Sequence, residues 1–510
     1  MIISLSVLVI TIIVSGTYAL YKAQLSKNIG VNTTTHGLAY YINYVKGTDI
    51  TAATLNPSTS YEGGVSSDIE FWKKDDSYDI YGKIELTVNT IGTNLSNSPA
   101  LKYAVVNNGN VLKEGSLKGT TSGSKVTILK NLYLEQTKQI YTVYVWLDNS
   151  EELGNISNES LSISVDCTAS LQKEPTAADT IISLYTSAAK VTATNNSITY
   201  NTAPSVSLMN DRLGGTTTDL DGGNIRYYGA NPNNYIYFNC SDYSNQTSST
   251  CETWRIIGVF DGKLKLIKGS QIGTYSWDNK NTSTGAEDDR GKNDWTTARL
   301  MKLLNPDDYY INDNNDKDSE GNYLGYSLYY NSASGMCFTD EGVNYSACDF
   351  TSTGIKNDET RNMIAETTYN LGGWNDTGVY PNEIYEYERG TTVYTGRPTT
   401  WTGKIALAYP SDYGYAADLN QCKQTLANYD NSTCTSNNWM KAIITDNGSN
   451  HGWLLTPDSS YSYGAWYSHG NVGEYFTGAA RGAVPVLSLS SKLGIESGDG
   501  SSSNPYKLSA

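Results

Sequence analysis

The chain has 510 residues, too many for one ordinary domain and enough for two or three. Its formal net charge of −16 excludes tight binding to nucleic-acid phosphates and adhesion to anionic lipid surfaces. Three histidines, His36, His451 and His469, are a thin inventory for acid–base chemistry or zinc, whereas 41 tyrosines supply apolar rings with polar tips.

Residues 1–21 carry no charged side chain. Ile2 to Val14 form an apolar run of signal-peptide length, and Thr17 and Ala19 place small residues at a cleavage site after Ala19. The first cations, Lys22 and Lys27, follow this run rather than precede it. The segment is expected to be a signal peptide or an N-terminal membrane anchor, and either one exports the chain to the cell surface or beyond. No other part of the chain is expected to meet a membrane.

Residues 28–170 read as a β-sandwich. In Lys83-Ile84-Glu85-Leu86-Thr87-Val88 apolar and polar residues alternate, as they do from Leu161 to Asp166. That period of two marks half-buried strands. Asn107-Asn108-Gly109-Asn110 predicts a hairpin turn, and Tyr141 to Leu147, apolar on both faces, a central strand. Gly16-Thr17-Tyr18-Ala19-Leu20-Tyr21, followed by this module, resembles the start of TasA/camelysin-type exported proteins. The resemblance implies cleavage by a dedicated signal peptidase and a mature sandwich in matrix fibres or on the surface. Cys167 is the odd thiol, free or cross-linking two chains.

Residues 171–204 read as a linker or docking segment, with a short helix over 177–189. Beyond it, residues 205–510 carry six cysteines in three pairs, Cys240/Cys251, Cys337/Cys348 and Cys422/Cys434. Similar short spacings in an exported chain imply three disulfides. Asp261-Gly262 predicts a hairpin between 254–260 and 263–268. Helices are expected from Asp294 to Leu304 and from Asp358 to Leu371, the second capped by Gly372. Strands are expected at 404–408, 452–455, 464–467 and 483–489. The whole is an α+β, disulfide-bonded module.

Asp316, Asp318 and Glu320, with Gly321, have the alternate-oxygen spacing of a calcium loop. Ser327 stands where that loop needs a bidentate acid, so calcium is a candidate rather than an expected cofactor. Eight of the ten tryptophans lie beyond residue 250. Trp254, Trp295 and Trp453 follow core patterns. Trp374 and Trp401 in polar loops, and Trp466 with Tyr467 near a turn, are the candidate sugar-stacking residues.

Trp254-Arg255-Ile256-Ile257-Gly258, Asn293-Asp294-Trp295, Trp453-Leu454-Leu455-Thr456-Pro457, Gly464-Ala465-Trp466-Tyr467-Ser468 and Gly482 to Leu489 occur in that order. The series resembles an uncharacterised domain of exported proteins in gut Firmicutes and Mollicutes. That domain is similar to the C-type-lectin-like and formylglycine-generating-enzyme superfamily. Where related domains end in Val-Arg-Pro, this chain has Ala483-Val484-Pro485, with Arg481 displaced.

No nucleophile elbow, Cys–His signature or phosphate loop is present, so no catalytic residue is assigned. The sequence points to a non-enzymatic bacterial surface or matrix protein, acting in adhesion or assembly through glycan binding or self-association. A glycan-active or protein-modifying enzyme on a lectin-like scaffold is the alternative, and a fibre subunit the third. An enzyme would gather two carboxylates, or His451 with acidic partners.

Overall fold

The computed structural model describes residues 23–25, 41–52, 55–151, 153–154, 156, 159–218, 222–279, 290–306, 328–338 and 345–509. The apolar segment 1–21, the acidic loop of Asp316, Asp318 and Glu320, and the side chains of Cys337 and Cys348 lie outside the described residues. Strands dominate, helices are few and short, and the chain divides into two compact units after Glu174. Among the described residues no helix is long and apolar enough to cross a membrane.

The first unit is sandwich-like, with a five-stranded and a six-stranded sheet. Strand Leu161–Ser170 pairs with Tyr81–Ile91, and its residues alternate strictly between buried and half-buried. Ile84, Leu86, Val88, Ile163 and Val165 thereby enter one core with Ile69, Phe71, Val143 and Val145. In the second sheet Ile140–Asp148 lies between Val65–Lys73 and Leu101–Asn107, the central position its two apolar faces require. The hairpin from Leu101–Asn107 to Asn110–Ser116 turns through Asn108 and Gly109, both at positive φ as a tight turn demands. Cys167 is a free, buried thiol in Leu161–Ser170 and belongs to that core, which leaves the cross-linking option no accessible sulfur.

The second unit runs from Pro175 to Ser509. Residues expected as a linker supply its first elements. Helix Ala177–Ser187 is closed by a capping box between Thr176 and Asp179. Strands Val191–Asn195 and Ile198–Ala203 then form a hairpin at the edge of a nine-stranded sheet, with Tyr200 and Ala203 fully buried. The polar composition of 171–204 hid these strands because their buried face rests on only a few residues.

In the same sheet Glu252–Phe260 and Lys263–Lys268 join through Asp261 and Gly262, as expected. Cys240 and Cys251 are bonded just upstream, and Cys422 is bonded to Cys434. Two disulfides are thus present among the described residues. The second lies in a core with Ile257, Leu454, Trp466 and Val486.

A buried ionic cluster crosses this unit. Arg226 Nε donates to Asp211 Oδ2 at 2.6 Å and Nη1 to Asp412 Oδ1 at 2.9 Å, while Lys265 Nζ donates to Asp412 Oδ2. Asp412 also accepts from Tyr409 N and so caps its own helix, Pro410–Tyr415. The Arg226 guanidinium faces Phe260 and Tyr415, which keep water away from it.

Two helices differ from expectation. Asp294 caps only a turn, through Thr296, and the helix itself is Arg299–Leu304. The helix from Asp358 ends at Met363, and Thr367–Asn370 is a strand paired with Thr400–Gly403. Two threonines and a tyrosine favour that pairing over a third helical turn. Gly372 therefore caps no helix; a Cβ there would collide with the carbonyl of Tyr387.

Candidate functional site

The five-stranded sheet of the second unit orders its strands as Thr274–Ser276, Ala480–Gly482, Gly452–Pro457, Gly464–Ser468 and Val472–Phe476. Alternation within Gly464–Ser468 sends Trp466 into the core and Tyr467 to the opposite face. Cross-strand pairing then sets large residues against small ones. Tyr467 lies opposite Gly473, and Tyr475 opposite Ala465. The two tyrosines meet diagonally, ring centroids 6.4 Å apart at 81°. Gly473 matters for space: a Cβ there would press within 3.0 Å of the Tyr467 ring.

Arg481 comes from the strand on the other side. Its guanidinium carbon sits 3.9 Å from the Tyr467 centroid, 4.5 Å from Tyr475 and 5.4 Å from Trp453. Trp453 is buried beneath, its indole N–H donating to Tyr275 O at 2.9 Å. His451 stacks on Tyr467 with planes 4° apart, and His469 lies 4.0 Å further on. Arg481 Nη1 bonds His451 Nδ1. A guanidinium can only donate, so His451 accepts at Nδ1 and its proton sits on Nε2 when the ring is neutral.

The electrostatics are one-sided. Burial, then Arg481 and His469, push the His451 imidazole below its ordinary value, so it is neutral at pH 7. Burial also lowers the Arg481 guanidinium, against a smaller opposing pull from Tyr467 and Tyr475. Arg481 Nε is buried with no acceptor. Tyr475 is 41% exposed and Tyr467 half-buried, so two aromatic rings set at 81° to each other reach solvent beside a buried cation, with Phe476 4.1 Å from the Tyr475 ring. Such a face can stack the C–H side of a sugar ring while polar tips and the guanidinium bond its oxygens.

Of the aromatic residues expected to bind ligand, Tyr467 is in this face and the tryptophans are not. Trp466 is fully buried, and its indole N–H donates to Trp374 O at 3.1 Å. Trp374 is half-buried and stacks on Tyr387 at 3.8 Å, which covers one side of its ring. Trp401 is packed against Tyr369 and Trp295 inside the unit. Neither Trp401 nor Trp466 offers a free ring face, because the strand carrying each turns it inward. Trp254, Trp295 and Trp453 are core, as their patterns require.

Tyr475 and Arg481 stand beside Tyr467; Tyr475 lies in no motif, and Arg481 is marked only as the displaced arginine of the Val-Arg-Pro ending. The available signal was alternation across the turn, with Tyr475 and Tyr467 both on the outward register. Two carboxyls do approach each other nearby. Glu474, opposite Trp466, is pushed up to about 8 by partial burial and by Asp458. Asp458 Oδ1 accepts from the backbone N–H groups of Ser460 and Tyr461, which ties that carboxyl into the turn before Gly464.

The chain matches no known protein family and no curated protein. One similar solved structure holds a carbohydrate-binding module in complex with GlcNAc, and INT domains, from Clostridium perfringens ZmpB. It is 12% identical, with 28% of this chain and 30% of that one covered, at a TM-score of 0.12. The chain thus spans less than a third of that structure's length. A receptor-binding domain of botulinum neurotoxin mosaic serotype C/D is 11% identical over 50% of this chain and 74% of that one, at a TM-score of 0.15. At such scores neither likeness carries an argument about fold or ligand.

Proposed function

We propose that this is an exported bacterial surface or matrix protein, non-enzymatic, that adheres through carbohydrate bound at the Tyr467 face. In this reading the first unit is a TasA/camelysin-type sandwich and the second a C-type-lectin-like module. The observation that carries it is the exposed Tyr475 ring beside Tyr467, backed by the buried Arg481 guanidinium. Pyranose rings present axial C–H groups to aromatic faces, and the surrounding hydroxyls need donors and acceptors; this face supplies both. His451, the residue an enzyme would pair with an acid, instead has Arg481, His469 and Tyr467 as its neighbours.

The test is a glycan array probed with the whole exported chain, in calcium and in chelator, beside Tyr467→Ala and Tyr475→Ala. Competable binding that both substitutions weaken at least about tenfold, a loss of about 1.4 kcal/mol, supports the reading. A blank array, or binding indifferent to both tyrosines, removes it. Loss in chelator alone would transfer the site to the acidic loop at Asp316, Asp318 and Glu320.

A further inference from the structure

Arg481 is a buried cation without an anion. Its Nη1 is held by a neutral His451, its Nε has no acceptor, and its faces are covered by Tyr467, Tyr475 and Trp453. The groups against it are the rings of Tyr467, Tyr475 and Trp453 and the His451 imidazole; among the described residues no carboxylate pairs with it. Arg226, more deeply buried in the same unit, has two aspartates. Removing a guanidinium from water is costly, and a carboxylate is the usual compensation because its two oxygens match the guanidinium fork. The Tyr467 face therefore presents aromatic stacking surface next to an unmatched positive charge.

We propose that this face takes a sugar bearing a carboxylate, such as a uronic or sialic acid, in preference to a neutral sugar. The inference rests on the reading of the Tyr467 face as a carbohydrate site. The ligand's ring packs against the exposed Tyr475, and its carboxylate bonds the guanidinium at Nη2, since Nη1 is held by His451 and Nε is buried. The chain's net charge of −16 repels anions at long range, but salt at physiological strength screens that field within about 8 Å, and the contact itself decides.

The experiment uses the whole exported chain on an array of matched pairs, each uronic- or sialic-acid glycan beside its carboxyl-reduced neutral form. The acidic member is expected to bind at least about tenfold tighter. Arg481→Gln should erase that preference, Arg481→Lys should shrink it, and Tyr475→Ala should weaken both members while keeping their ratio. Tyr475 is exposed, so its variant is readable even if the Arg481 variants fold poorly. Equal binding of acid and neutral forms by the unaltered chain overturns the proposal and leaves the carbohydrate reading intact. Binding confined to sulfated glycans without a carboxyl overturns it as well. An array without any binder fails the carbohydrate reading itself.

Discussion

Asp412 stands 2.9 Å from the guanidinium of Arg226, with both side chains buried, and its second oxygen accepts from Lys265. One carboxylate thus joins two strands of the nine-stranded sheet to the helix Pro410–Tyr415. Burial pushes this carboxyl up, but Lys265 and Arg226 outweigh it and hold it below the ordinary range. Removing Asp412 strands the buried Lys265 and leaves Arg226 with Asp211 alone. Asp412→Asn should cost about 3–5 kcal/mol, read as a lower denaturant midpoint of the second unit's transition by tryptophan fluorescence. A midpoint within error of the parent would mean that water reaches the cluster.

Glu388 gives the opposite pH dependence. Burial pushes its carboxyl up to about 6, against Arg389 and Ser411, from an ordinary value of 4.5. The folded state holds the proton more tightly than the unfolded one, so stability declines as pH rises from 4.5 through 6. The shift corresponds to about 2 kcal/mol. Glu388→Gln should flatten that decline in denaturation curves taken at half-unit steps of pH.

His451 works in the other direction. Its folded value is depressed, so the neutral ring's contribution is present above pH 6.5 and is lost as pH falls below it. The ionisable groups facing it are Arg481 and His469. Melting temperature should drop between pH 7 and pH 5, and His451→Gln should reduce the drop. An unchanged slope in that variant would assign the effect elsewhere.

The disulfides Cys240–Cys251 and Cys422–Cys434 each close a short loop and restrict the unfolded chain. Replacing either pair by alanine should cost about 3 kcal/mol. The Cys422–Cys434 pair should cost more, since both sulfurs are fully buried and their loss also leaves a void. Paired denaturation curves of the two double variants decide the order.

Cys167 should resist alkylation in the native protein. Burial foremost, then Asp166 and Glu85, push its thiol well above the ordinary range. Iodoacetamide at pH 8 should label it only after denaturant is added, as mass spectrometry of the first unit's peptides would reveal.

What local chemistry dictates was legible in the residues themselves. Asn108-Gly109 and Asp261-Gly262 turn where left-handed backbone is required, and period-two runs such as Leu161–Ser170 become strands whatever lies around them. The pairing of Cys240 with Cys251 and of Cys422 with Cys434 followed from spacing for the same reason: a short loop leaves few alternative partners. The structural helix ending at Met363 was not legible, because Thr367–Asn370 became a strand only through a partner thirty residues away, Thr400–Gly403.

The candidate site was decided by tertiary structure. A strand's alternation separates Trp466 from Tyr467 but does not say which of them faces water; packing against Leu454, Val472 and Val484 does. Tyr475 and Arg481 reach Tyr467 from two different strands, one on each side, and no sequence window contains that neighbourhood. The sequence by itself determined where the chain turns, how Cys240, Cys251, Cys422 and Cys434 pair and which stretches alternate, since those depend on neighbours along the chain. Only the folded sheets determined which aromatic rings became core and which became surface, because burial is a property of what packs on top.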